Sequence, residues 1–374
     1  MVSRVTPLRY DLAVVGAGII GLAHAALARE RGMSVVVVER YDRAVGASVR
    51  NFGHIGVTTQ EDEALVHARA GREYWLRLAA QAGFWIQPAG TLILARAEDE
   101  HAIIEEFAAQ RDGSVRVLDA RGVREIASIA DPRLLGGALC EDDLRVSSVE
   151  AIPAIASYLA ASGVDFHFRT NVTGASTGVL HTGRGDIEAS TIVVAAGHDT
   201  DMLFPDLAEE ANIQRCLLHM LEVDAPPGSV FSPVILTGTA VLRYRGLSQR
   251  AAAQSIRDRL ARDHPDLLAA LVNVKMSQRP NGRLVLGDTH AYAHTHDPFR
   301  EEELDDLLLR EFHALLGAPL RVRRRWHGEY AHSETEDYFV REPVPGVFLA
   351  CVTNGTGMST GLGFARSVLD RVGY

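Results

Sequence analysis

The chain has 374 residues, of which 47% are hydrophobic and 23% charged, and its formal net charge is −10. That length buries a large core and suits two domains, and the composition is that of a globular protein. The acidic balance argues against a general nucleic-acid or membrane-surface binder. Cys140, Cys216 and Cys351 are scattered without paired spacing, which fits a reducing compartment such as the cytoplasm and no thiolate metal site. Lys275 is the only lysine, which reads as a compositional bias toward arginine.

The run Asp11-Leu-Ala-Val-Val-Gly-Ala-Gly-Ile-Ile-Gly21 predicts a strand, a tight turn and the start of a helix. Gly16 permits the turn, Gly18 lets the backbone approach a pyrophosphate, and Gly21 lets helix and strand pack closely. The helix N-terminus offers free N–H groups to phosphates. A second strand, Ser34–Glu39, ends in a carboxylate 18 residues after Gly21. Glu39 is the expected acceptor for a ribose hydroxyl, with Arg40 beside it. This constellation points to an adenine dinucleotide. The apolar stretch from Leu12 to Ala28 carries its glycines at the fingerprint positions, so a buried strand and helix explain it better than a targeting segment. No other run is long and apolar enough to span a bilayer.

Residues 41–60 are irregular, and apolar spacing predicts a helix over 61–82. Short strands follow near 84–95, then a helix over 98–111 and a strand over 115–118. Ser147 or Ser148 caps a helix running to Ala161. Strands near 164–168 and 170–175, the latter containing Val172, lead to a buried strand over 190–197. Residues 213–243 are β-rich, with further strands at 271–278, 283–287, 319–330 and 347–352. Helices fill 253–262 and 301–315. A glycine-rich turn at 353–361 precedes a final helix to about Leu369.

Nucleotide-binding features therefore fall at the start, middle and end of the chain. The expected fold class is α/β with α+β insertions: a Rossmann-like, discontinuous FAD-binding domain (1–80, 145–212, 335–374) interleaved with an antiparallel-sheet substrate domain (81–144, 213–334).

Three further segments favour FAD over NAD. In Gly46-Ala-Ser-Val-Arg-Asn-Phe-Gly53, small residues let the loop lie against a flat cofactor, and Ser48 and Asn51 can donate to pyrophosphate; Phe52 and Gly53 complete it. Ile192–Gly197 ends in small residues, Ala196 and Gly197, near the dinucleotide. Thr353-Asn-Gly-Thr-Gly-Met-Ser-Thr-Gly361 includes Gly355, Gly357, Met358, Ser359 and Thr360, and its N–H groups could stabilise negative charge on a reduced flavin. A nicotinamide dehydrogenase is the rival enzyme class, and a non-catalytic flavoprotein is a further alternative.

With these segments in order, the chain resembles the FAD-dependent oxidoreductases of the D-amino-acid oxidase superfamily, which includes glycine and sarcosine oxidases. Gly46–Gly53, Gly282-Arg-Leu-Val-Leu-Gly-Asp-Thr-His290 and Tyr338-Phe-Val-Arg-Glu-Pro343 resemble the subfamily associated with bacterial phosphonate breakdown. The resemblance implies hydride transfer from an amine-bearing carbon to flavin N5, hydrolysis of the imine, and peroxide formation when dioxygen reoxidises the flavin. A respiratory carrier is the alternative acceptor. The implied substrate is a small anionic amine, 2-aminoethylphosphonate or its N-methyl derivative, with glycine, sarcosine or a D-amino acid as the alternative. Relatives attach FAD through a cysteine late in the substrate region. Trp326-His-Gly-Glu-Tyr330 has none, so non-covalent FAD is expected.

Hydride loss needs the nitrogen lone pair, so a base or acceptor for the ammonium proton helps. His54, His290, His332 and Tyr330 are the candidates, unless the flavin alone suffices. An anionic group needs cations, and arginine meets oxyanions at two points. Arg50 has the best positional argument. Arg243, Tyr244, Arg279, His290 and Trp326 are further substrate-side candidates. Arg323 and Arg325 share a strand face, read as solvated rather than pocket-lining. His290, His294, His296 and Asp297 lack a clear third ligand at fixed spacing, so no metal is expected.

Overall fold

The computed structural model describes residues 9–111 and 113–373. Its first sheet contains parallel strands in the spatial order Asp165–His167, Val35–Val38, Tyr10–Val15, Ile187–Val194 and Val347–Val352. The near-continuous apolar sequences of the central strands, such as Val35–Val38 and Val347–Val352, reflect burial on both faces, while the edge strand Asp165–His167 is largely exposed. Leu12, Val14, Val35, Val37 and Val193 pack under helices Ile19–Glu30, Asp62–Ala82, Ser148–Ala161 and Gly357–Val372. Ala13, Val15, Val36, Val38 and Val194 point the other way, toward Leu180, Ala208 and Phe339. Two antiparallel extensions, Val172–Ser176 with Val179–Thr182 and the hairpin strand Tyr338–Val344, complete this sheet.

The second sheet has nine strands and is mainly antiparallel. Its longest pairing joins Gln214–Val223 to Val322–His332. Alternation again sets the faces. Leu221, Val223, Met276 and Leu286 pack with residues of helices Glu98–Ala108, Ala253–Asp263 and Glu302–Leu316. Cys216, Leu218 and Met220 gather on the opposite face with Phe52, Tyr292 and Tyr330. Lys275, one residue before Met276, therefore lies on that second face.

Parallel-sheet strands fall within residues 10–38, 165–194 and 347–352, and second-sheet strands within 91–140 and 214–332. Several local expectations shift. Residues 238–242 form a 3₁₀ turn rather than a strand, and the 271–278 strand begins only at Lys275. The final helix starts at Gly357, inside the glycine-rich segment. Ser147 occupies the N-cap of Ser148–Ala161, but its side chain makes no capping hydrogen bond.

Candidate functional site

A cavity of about 920 Å³ runs from the first glycine turn to the face of the second sheet that carries Leu218, Met220 and Tyr330. Its cofactor end is built by backbone. Gly16 adopts φ +99°, and a Cβ there would stand 2.6 Å from the Ala195 carbonyl oxygen. Gly21 is tighter, with a hypothetical Cβ 1.9 Å from the Gly16 oxygen. Gly18 caps the Ile19–Glu30 helix and faces Ser48. Glu39 accepts from Ala17 N at 3.0 Å and Tyr41 N at 3.1 Å, which fixes its carboxylate at the end of its strand. Arg40 pairs with Asp199 at 2.5 Å.

Gly16, Gly18, Glu39, Arg40, Ser48, Asn51, Phe52, Val172, Ala196, Gly197, Gly355, Gly357, Met358 and Ser359 line the cavity. The Gly357–Val372 helix presents its N-terminus to the cavity, as the sequence suggested for a site of developing negative charge. The volume lies at the upper end of ordinary ligand cavities. Together with glycines whose Cβ would clash and a helix end at each side, it fits a flavin dinucleotide.

Some cofactor-side expectations change. Asn51 Nδ2 donates to Ala47 O and Ser48 O, both at 2.9 Å, and its Oδ1 accepts from Gly53 N at 2.8 Å. Asn51 therefore shapes the loop rather than donating to pyrophosphate. Ser48 Oγ accepts from Ile19 N at 2.9 Å, leaving its own proton free to donate. Gly21, Gly53 and Thr360 do not line the cavity. Gly53 allows the chain to approach the Val146 carbonyl oxygen, where a Cβ would sit at 1.8 Å. Thr360 hydrogen-bonds back to Thr356 within its own helix.

The inner end is built by side chains. Lys275 Nζ donates to Tyr244 Oη at 2.8 Å and lies 4.7 Å from the Phe52 ring centroid. Arg243 Nη2 donates to Tyr292 Oη at 2.8 Å. Arg243, Tyr244, Asn273, Lys275, Asp288, His290 and Tyr330 line this end. Burial raises the Asp288 pKa to about 6, against the pull of Lys275 and Arg243. Burial, then Arg243, holds His290 well below its ordinary value, and burial raises Tyr330 well above its own.

His54 also borders the cavity, but its Nε2 faces Thr91 Oγ1 at 2.7 Å and Asp143 Oδ2 at 3.5 Å. Burial, reinforced by Lys275, lowers its pKa to about 4, so the ring is neutral at pH 7. Arg50 is exposed at the rim, 3.4 Å from the His327 carbonyl oxygen.

Two substrate-side candidates, Arg279 and Trp326, and one candidate base, His332, fall outside the cavity lining. Arg279 faces Glu222 at 3.5 Å and the Trp326 ring. Trp326 donates its indole N–H to Arg50 O at 3.1 Å, supporting the rim from behind. His332 packs at a tilt against Tyr292, ring centroids 4.2 Å apart. Arg323 pairs with Asp224, and Arg325 with Asp305 and Glu302. His296 contacts the Arg215 carbonyl oxygen at 2.8 Å. Lys275, Asp288 and Asn273 were not singled out as site residues from the sequence. The lone lysine is the available signal, and in sequence alone it is indistinguishable from compositional bias.

A nucleotide-type parallel sheet whose cavity opens onto an antiparallel sheet defines a two-sheet, dinucleotide-dependent enzyme architecture. Residues 11–371 match the FAD-dependent oxidoreductase family known as DAO, and the chain belongs to that family. Its cofactor is therefore FAD. No curated protein sequence matches the chain significantly. Among solved structures, glycine oxidase from Bacillus cereus is similar, with TM-score 0.79, 19% identity, and 97% of each chain covered. L-proline dehydrogenase from P. horikoshii gives TM-score 0.79 at 17% identity, covering 98% of this chain and 94% of that one. FAD-bound L-α-glycerophosphate oxidase from Mycoplasma pneumoniae gives TM-score 0.76 at 17% identity, covering 98% and 95%. At these identities the likeness defines the fold. Among the described residues, no helix is long and apolar enough to cross a membrane.

Proposed function

We propose that this FAD-dependent oxidoreductase oxidises the C–N bond of a small amine that carries an anionic group. The specific candidates are 2-aminoethylphosphonate and its N-methyl derivative. The observation that carries this reading is the pair of buried or half-buried cations, Arg243 and Lys275, at the inner end of the cavity. Each is already oriented by a tyrosine hydroxyl, so their remaining N–H groups are directed without further ordering. Charge-assisted bonds to a phosphonate or carboxylate there are stronger than neutral ones.

When bound, FAD supplies the hydride acceptor. The chain's part is to anchor the anion, turn the amine-bearing carbon toward the cofactor, and exclude water. Tyr244, Tyr330 and Phe52 form the walls that do so. Similarity to glycine oxidase supports a C–N donor. The reading extends to non-covalent FAD, the domain division stated above, a cytoplasmic setting, and dioxygen or a respiratory carrier as electron acceptor.

The test is peroxide production from 2-aminoethylphosphonate, its N-methyl form, glycine, sarcosine and D-alanine. The proposal expects the highest kcat/KM from an aminophosphonate. A clear win for any carboxylate amine would remove the phosphonate assignment and leave amine oxidation standing.

A further inference from the structure

We propose that Asp288 receives the substrate ammonium group and accepts its proton, so that the inner end of the cavity is a matched seat for a zwitterion. This rests on the amine-oxidation reading above. Asp288 follows the Leu284–Gly287 strand, whose Gly287 pairs with both Lys275 and Met220. That register brings the carboxylate beside Lys275 at the inner wall. Asp288 is 3% exposed, yet it lines the cavity.

Asn273 holds it in one orientation. The two backbones exchange hydrogen bonds of 2.7 and 2.8 Å, and Asn273 Nδ2 donates to Asp288 Oδ1 at 2.8 Å. Among the described residues no other side chain donates a hydrogen bond to this carboxylate, and His290 Nε2 stands 3.8 Å from Oδ2. One oxygen is thus tied down, and the other is left as an acceptor.

The charges around it are complementary to a zwitterion. Lys275 faces Asp288 from the Lys275–Gln278 strand, and Arg243 from the segment after the 3₁₀ turn. His290, on the same loop, is held neutral by burial and then by Arg243. Cys216, from the Gln214–Val223 strand, has its thiol pushed up to about 12 by burial and is also neutral. The two cations attract the substrate's anion and repel its ammonium. Among the described residues lining this end, Asp288 is the carboxylate that can take the ammonium. Burial places its pKa at about 6, ionised at pH 7 yet near enough to neutrality to accept a proton.

The step balances. An N–H bond of the ammonium breaks, an O–H bond forms at Asp288 Oδ2, and the nitrogen keeps the electron pair. That pair would form the C=N bond as the α-hydrogen departs as hydride, for which bound FAD would be the two-electron acceptor. Catalysis by a positioned base of this kind contributes typically about 10²–10⁴-fold.

The experiment is the pH dependence of kcat/KM for FAD-loaded wild type, Asp288→Asn and Asp288→Glu with the best amine. Wild type should lose activity tenfold per pH unit below about 6, the limb of Asp288, and level off above it. Asp288→Asn should lose about 10²-fold or more at pH 7. Its rate should rise tenfold per unit toward the ammonium's own pKa of about 10, because only neutral amine then reacts. Asp288→Glu should restore the acid limb. Retained flavin absorbance reports folding of each variant. A wild-type rate that already climbs log-linearly from pH 6 to 9 would overturn the proposal, whether or not the variants fold. So would an Asp288→Asn enzyme with the wild-type profile. Failure of every amine to reduce the wild-type flavin would instead strike the amine-oxidase reading itself.

Discussion

The two ends of the cavity are made from different materials. The cofactor end is shaped by backbone: three glycines, a helix N-terminus and the ends of parallel strands. The substrate end is shaped by side chains from residues 243–290 and 330, brought together by the register of an antiparallel sheet. A backbone site has tight spacing rules, because only glycine fits where a carbonyl passes within van der Waals contact. A side-chain site has no such spacing, and it can change while the fold is kept. One family can therefore share a cofactor and differ in substrate.

The largest effect expected from breaking this contrast is at Gly21. A methyl group there meets the Gly16 backbone oxygen at 1.9 Å, which no side-chain rotation relieves. Gly21→Ala should cost about 3 kcal/mol or more and leave a colourless protein. Absorbance of the purified variant in the flavin bands checks it.

The opposite outcome is expected at Lys275. Lys275→Met should keep the flavin spectrum but raise KM for an anionic amine by about tenfold to a hundredfold, the worth of one charge-assisted bond. Steady-state kinetics with a neutral amine should show a much smaller change. Equal losses for neutral and anionic amines would remove Lys275 from anion recognition.

Both regions carry a buried neutral histidine, so acid should weaken them together. Burial lowers His24 in the cofactor half and His54 at the cavity to about 4. The unfolded chain binds these protons near pH 6.5, so stability is full above that value. It declines as pH falls from 6.5 toward 4. At pH 5 the loss should be about 2 kcal/mol for each histidine. Thermal unfolding measured across this range gives the slope.

A smaller effect is expected in the flavin-side loop. Asn51→Ala removes three loop hydrogen bonds without touching the glycine turn. It should weaken FAD retention by about tenfold, at roughly 1–2 kcal/mol, measured by cofactor titration. The smallest kinetic effect belongs to Arg279, which faces the buried Glu222. Glu222 keeps Arg283 at 3.1 Å. Arg279→Ala should leave kcat/KM within about twofold while lowering stability by about 1 kcal/mol.

The same contrast explains what could be read from the chain. Gly16, Gly18, Gly21 and Glu39 were legible because each answers a local backbone demand in a fixed order. The central parallel strands were legible because burial on both faces makes them nearly continuously apolar. Asn51 was placed in the right loop with the wrong partner, since its bonds run to Ala47, Ser48 and Gly53 rather than outward. Lys275 lies within the predicted 271–278 strand, and Arg279 falls just past its end, four residues on. Lys275 lines the cavity and Arg279 does not. The strand spans only Lys275–Gln278, with Met276 turned toward the helices, and Arg279 belongs to the turn that follows it. Asp288 and Asn273 meet across a loop pairing that no short motif announces.

The most direct measurement is anaerobic titration of the purified protein with 2-aminoethylphosphonate and glycine, followed by flavin absorbance. The account predicts an oxidised flavin spectrum that bleaches on addition of an anionic amine, and bleaching that is slowed about tenfold to a hundredfold in Lys275→Met at the same subsaturating concentration. A protein that retains FAD but keeps its oxidised spectrum with each of these amines would contradict it.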